Sequence, residues 1–184
     1  VKAGSMQEAE VESARRALPP SVFNALYLCE GTADPSMLMD WAAINDLFTN
    51  EHVPAGQRYL TCDVARYGSD KTVVMLWDGL RVAQVYVYTG QATNATAAAI
   101  ESTARLEGVP RSRIIIDDDG VGGGVVDLLP GCYAFRGGSK PLPRKGHEQN
   151  YANLKAQCSY ELAQRVNARE IYIDAPDHRD TIAQ

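Results

Sequence analysis

The chain has 184 residues, 45% of them apolar and 22% charged, with a net charge of −5. That composition fits one compact globular domain and excludes collagen-like and wholly disordered chains. No apolar run approaches the ~20 residues of a membrane-spanning helix, no secretory leader pattern is present, and the acidic balance argues against a protein that coats nucleic acid with its whole surface.

Val1–Met6 reads as an expression scar, because Gly-Ser before a Met is what a cloning site leaves. Residues 7–57 then form a leading region of linker and helices. Gln7–Leu18, rich in Glu, Ala and Arg, predicts a short helix that Pro19-Pro20 ends. Ser21–Gly31 predicts a helical turn running into an extended piece. Asp34-Pro35 predicts a helix start, with Asp as N-cap and Pro at the first helical position. Met37, Leu38, Trp41, Ile44 and Leu47-Phe48 follow on one stripe at helical spacing. Thr49–Gln57 is a loop.

Residues 58–184 have a different texture. Arg58–Ala65 alternates, with Leu60, Cys62 and Val64 on one face and Tyr59, Thr61 and Asp63 on the other. A turn over Arg66–Asp70 leads to a strand over Lys71–Trp77. Asp78-Gly79 is a hairpin signal, and Leu80–Tyr88 is a third strand, which makes an antiparallel meander. Thr93–Leu106 is an alanine-rich helix stopped by Gly108 and Pro110. Arg113–Asp117 is a continuous apolar strand of the kind buried on both faces. Asp118–Gly124 is a Gly-rich loop that opens a short helix through Val125 and Leu129. Cys132–Phe135 is a fifth strand, Arg136–Asn150 a polar loop, Tyr151–Val166 a helix and Glu170–Ile173 a last short strand. Asp180–Gln184 reads as the start of a further helix. A meander feeding β-α-β crossovers predicts an α/β fold: a mixed sheet, three antiparallel strands then parallel ones, with helices on both faces. That is the layout of the ribonuclease H-like fold.

The chemistry centres on two aspartates. Asp63 lies within the first strand, where a charge is costly unless paired or bound to a cation, and Asp117 closes the fourth. If those strands are neighbours, both carboxylates meet at one end of the sheet, and two close carboxylates do not both stay ionised without a cation. A pair of Mg²⁺ or Mn²⁺ ions would solve that problem and generate a nucleophile for phosphodiester cleavage. On spacing alone, Asp63 as a turn residue and Asp117 as a solvated strand-end carboxylate stay open. The glycines of Gly120–Gly124 lack the third fingerprint glycine of a dinucleotide site, and Asp117-Asp118-Asp119 before them would repel a pyrophosphate. No P-loop motif occurs. Cys29, Cys62, Cys132 and Cys158 form no Cys-x-x-Cys pair and read as reduced, mostly buried thiols. His52, His147 and His178 read as loop histidines, Trp41 and Trp77 as core.

These residues also carry a resemblance. Thr61–Thr72, with its Asp-Val-Ala, Gly and second Asp before a strand, resembles the first nuclease motif of the large terminase subunit of tailed bacteriophages. Ile114–Asp127 resembles the second motif. Phe135–Ser139 and Asn150–Lys155 resemble the strand, loop and helix that follow. Pro19–Phe23 with Tyr27–Glu30 resembles the segment joining ATPase to nuclease. The resemblance implies a ribonuclease H-like endonuclease domain that cuts concatemeric viral DNA by two-metal hydrolysis. It implies that Asp63 bridges two Mg²⁺ or Mn²⁺ ions and that Asp117 binds one. Asp70 is either a further ligand or a turn residue, and Asp119 reads as structural. Arg136, Lys140, Arg144 and Lys145 share one Gly/Pro-punctuated loop, a DNA-phosphate arm or simply a solvated loop.

The implied partners are double-stranded DNA, the ATPase domain of the same subunit, the small terminase subunit and the portal, in the cytoplasm of an infected bacterium. The family draws a third ligand from a late helix, which this chain stops short of. Asp174, Asp177 and Asp180 are not assigned that role, and weak activity is expected. Another ribonuclease H-like enzyme, a resolvase or transposase core, and a non-catalytic DNA-binding or docking module are the alternatives.

Overall fold

The computed structural model describes Glu12 and residues 37–65, 70–143 and 151–175. Its strands are β1 (Arg58–Asp63), β2 (Lys71–Asp78), β3 (Arg81–Thr89), β4 (Ile114–Asp117), β5 (Tyr133–Phe135) and β6 (Tyr172–Ile173). They form one sheet in the order β5-β4-β1-β2-β3-β6. The meander pairs β1 with β2 and β2 with β3 antiparallel. β4 lies parallel to β1, β5 parallel to β4 and β6 parallel to β3. The sheet is therefore mixed, as the alternation and connection lengths predict. Gly79 closes the β2–β3 hairpin at φ 65, the positive angle that the first residue of a type II′ loop needs.

Helices cover both faces. They are α1 (Trp41–Asp46), α2 (Thr93–Leu106), α3 (Gly123–Leu128) and α4 (Leu154–Asn167). On one face, Leu60, Cys62, Val74, Leu76, Ile114 and Ile116 meet Ala97, Ile100 and Ala104 of α2 and Val125 of α3. Each of these large side chains contributes roughly 1.5–3 kcal/mol by leaving water. The isoleucine run splits between layers: Ile114 and Ile116 are fully buried here, while Ile115 points to the opposite side. On that opposite side, Val82, Val85, Ile173 and Ala175 pack with Leu47 and Phe48, and α1 meets α4 through Ala43 and Val166 beside Trp77. Among the described residues no helix is long and apolar enough to cross a membrane.

Several expectations need correction. The described helix of the leading region runs from Trp41 with Asp40 as its cap, and residues 37–40 before it are not helical. Met37, Leu38 and Trp41 stand exposed, so the apolar stripe is only half real and Trp41 is not core. Asn167 is the reason: its side chain accepts from Asp40 N and donates to Leu38 O, which holds residues 38–40 out of the helix. Trp77 is partly buried, and its Nε1 donates to Thr61 Oγ1 at 2.9 Å. The last strand is shorter than expected, because Asn50 Nδ2 donates to Ile171 O. Of the described cysteines only Cys62 is buried; Cys132 is half-buried and Cys158 exposed. The readings on Val1–Met6, the early helix and turn, Cys29, Asp34-Pro35, His147, Asp177, His178 and the helix at Asp180 lie outside the described residues.

Candidate metal centre

Parallel pairing brings the chemistry together. Cys62 is in register with Ile116, so the next step along both strands sets Asp63 beside Asp117 at the C-terminal ends of β1 and β4. Paired residues of parallel strands share a face, and these two share it with Thr61 and Ile115. All four line a hollow of about 400 Å³, together with Val73, Met75, Val85 and Phe135. The C-terminal edge of parallel strands is where open α/β sheets present their ligand sites.

The hollow is mostly apolar, and this sets the electrostatics. Burial pushes the Asp63 carboxyl above its ordinary 3.8, and the neighbouring Asp117 charge pushes it in the same direction. Asp63 is otherwise an exposed residue at the strand end, so the penalty comes from the carboxyl lying against the hollow beside a like charge. Two hard oxygen donors whose repulsion already disfavours one of the negative charges suit a divalent cation such as Mg²⁺ or Mn²⁺. Among the described residues no group of three or more His, Cys, Asp or Glu side chains could hold such an ion.

The three consecutive acids separate into three roles. Asp117 faces the hollow, and its Oδ1 accepts from Asp119 N at 3.1 Å. Asp118 Oδ2 lies 2.5 Å from Arg136 Nε. Asp119 Oδ2 accepts from Gly137 N at 3.1 Å. The glycine-rich turn closes against the same acids. A Cβ on Gly122 would lie 1.6 Å from Asp117 O, so only glycine lets the backbone pass there.

The other sequence candidates fall elsewhere. Asp70 precedes β2, exposed, and is not among the residues that line the hollow. Asp174 stands at the far edge of the sheet, 3.7 Å from Arg81. Arg136 is tied to Asp118 rather than held out as a free phosphate contact, because the β4–β5 pairing brings the two strand exits together. Lys140 is exposed beyond it, and Arg144 and Lys145 lie outside the described residues. Sequence reasoning missed the apolar floor beside the acids. Its signal was in β2, where Val73 and Met75 make the second face as apolar as Val74 and Leu76 make the first.

No protein-family model matches the chain, and no curated protein matches it in sequence. Its fold does match solved structures. The nuclease domain of the large terminase subunit gp2 of bacterial virus Sf6 is 18% identical, over 74% of this chain and 73% of that one, with a TM-score of 0.64. A mutant of that domain with manganese and beta-thujaplicinol matches at 18% identity over the same shares, with a TM-score of 0.63. A mutant of gp2 from the same virus with calcium also matches at 18% identity over the same shares, with a TM-score of 0.62. At this identity the likeness is one of fold: the chain has the mixed, ribonuclease H-like sheet of those nuclease domains.

Proposed function

We propose that this chain is the nuclease domain of a phage DNA-packaging terminase, a metal-dependent endonuclease that cuts concatemeric double-stranded DNA by two-metal hydrolysis. The observation that carries the reading is the convergence of Asp63 and Asp117 at the C-terminal ends of adjacent parallel strands, in a sheet shared with terminase nuclease domains. Mg²⁺ or Mn²⁺ bound there would orient an attacking water and stabilise the leaving oxygen of the phosphodiester.

Asp63, on the more central strand, and Asp117 would hold the ions through their carboxylate oxygens. Bound cations would relieve the burial and repulsion that oppose the Asp63 charge. Asp63 and Asp117 by themselves would hold a second ion only weakly. Lys140, Arg144 and Lys145 are the proposed phosphate contacts, with Arg136 contributing less because Asp118 occupies it. Asp70 stays a candidate for a further ligand. On this reading the chain works beside an ATPase domain, a small terminase subunit and a portal, in the cytoplasm of an infected bacterium.

The test is nicking of supercoiled plasmid in Mn²⁺. Asp63→Asn and Asp117→Asn should each abolish it. Cleavage that survives in both variants would overturn the site, and DNA binding in EDTA with no cutting under any metal would favour a docking module.

A further inference from the structure

Asp117 needs more than a position at the end of β4, because a carboxylate can rotate and a loop can sway. Two bonds through Asp119 remove both freedoms. The Asp119 N–H donates to Asp117 Oδ1 at 3.1 Å. The Asp119 side chain accepts from Gly137 N at 3.1 Å, and Gly137 O accepts in turn from Lys155 N at 2.9 Å, in the first turn of α4. The exits of β4 and β5 and the start of α4 are thereby joined through one side chain.

We propose that Asp119 is a positioning residue for the metal centre. Its backbone N–H holds one oxygen of Asp117, leaves the other to a cation shared with Asp63, and is itself kept in place by the Asp119–Gly137 bond. The inference rests on the reading of Asp63 and Asp117 as a cation-binding pair. Asp119 is not a ligand in this arrangement, since Asp117 lines the hollow beside Asp63 and Asp119 does not.

The distinction between positioning and ligation is chemical. An amide oxygen at residue 119 can still accept from Gly137 N but brings no charge, whereas a methyl group can do neither. The experiment is Mn²⁺ titration of the full chain followed by electron paramagnetic resonance, with plasmid nicking in parallel and thermal midpoints in EDTA to check folding. Asp119→Ala should weaken Mn²⁺ binding about 10-fold or more, the usual size of losing a group that orients a ligand. Asp119→Asn should keep most of the affinity. Should the alanine variant fail to fold, Asp119→Ser carries the same expectation, because its hydroxyl stops an atom short of Gly137 N.

Alanine or serine variants that fold and bind Mn²⁺ like the parent overturn the proposal. So does an Asn variant that loses as much as Ala, which would make Asp119 a ligand, and so does a parent chain that binds no Mn²⁺ at all. The expected affinity pattern without any DNA cutting supports the positioning role and removes the nuclease reading alone.

Discussion

Replacing Asp63 by asparagine should make the metal-free protein more stable while destroying what the site is for. The side chains have nearly the same shape, so the change removes a charge that burial and Asp117 both oppose. Asp63 is solvent-exposed as a residue, and screening limits the gain to about 0.5–1 kcal/mol. For a domain of this size that corresponds to a rise of roughly 1–4 °C in thermal midpoint. The sign follows from linkage. A carboxyl whose folded pKa is raised binds its proton more tightly in the folded state, so wild-type stability rises as pH falls through that raised value towards the ordinary 3.8. The advantage of the variant is therefore largest at neutral pH and fades in acid. Mn²⁺ at about 100 times its Kd should add roughly 2.7 kcal/mol to the wild type and nothing to the variant. Calorimetry at pH 7.5, in EDTA and then in Mn²⁺, reads both effects. An Asn variant less stable than the parent in EDTA, or one that gains equally from Mn²⁺, would refute the reasoning.

Mn²⁺ affinity should fall on acidification at a pH above that of an ordinary carboxylate pair, since the proton competes for the raised Asp63; calorimetric titrations across pH check it. Gly122→Ala forces the turn away from Asp117 O, where its Cβ would otherwise sit at 1.6 Å, so it should cost about 1–3 kcal/mol and weaken Mn²⁺ binding, read by denaturant melts and metal titration. Ile116→Ala should cost about 2–5 kcal/mol through a core cavity, and Ile115→Ala, on the hollow side, clearly less; urea unfolding separates them. Iodoacetamide at pH 8 should alkylate exposed Cys158 while sparing native Cys62, whose thiol burial pushes up to about 12; peptide mass spectrometry reads the sites.

Where the deciding forces are local, the sequence is readable. Alanine-rich Thr93–Leu106 is a helix over that span, and the Asp78-Gly79 signal sits at the hairpin. The alternation of β1 and the isoleucine run of β4 mark two strands whose ends carry acids, while their adjacency stands as a condition that the parallel pairing meets. The rest depends on residues far apart in the chain. Helical spacing around Met37 and Trp41 could not register that Asn167, 127 positions beyond Asp40, would hold that stretch out of the helix. The charge of Arg136 is visible in sequence and its pairing with Asp118 is not. The tie from Asp119 to Gly137 is equally invisible, since it needs β4 and β5 side by side.

The greasy floor beside the acids bears on what the proposed nuclease could recognise. Telling one base from another takes donors and acceptors aimed at base edges. Val73, Met75, Val85, Ile115 and Phe135 have none to give, and the Thr61 hydroxyl already accepts from Trp77. On the proposed reading a duplex resting there would meet no side chain that reads its letters, so the choice of where to cut would fall to whatever delivers the DNA.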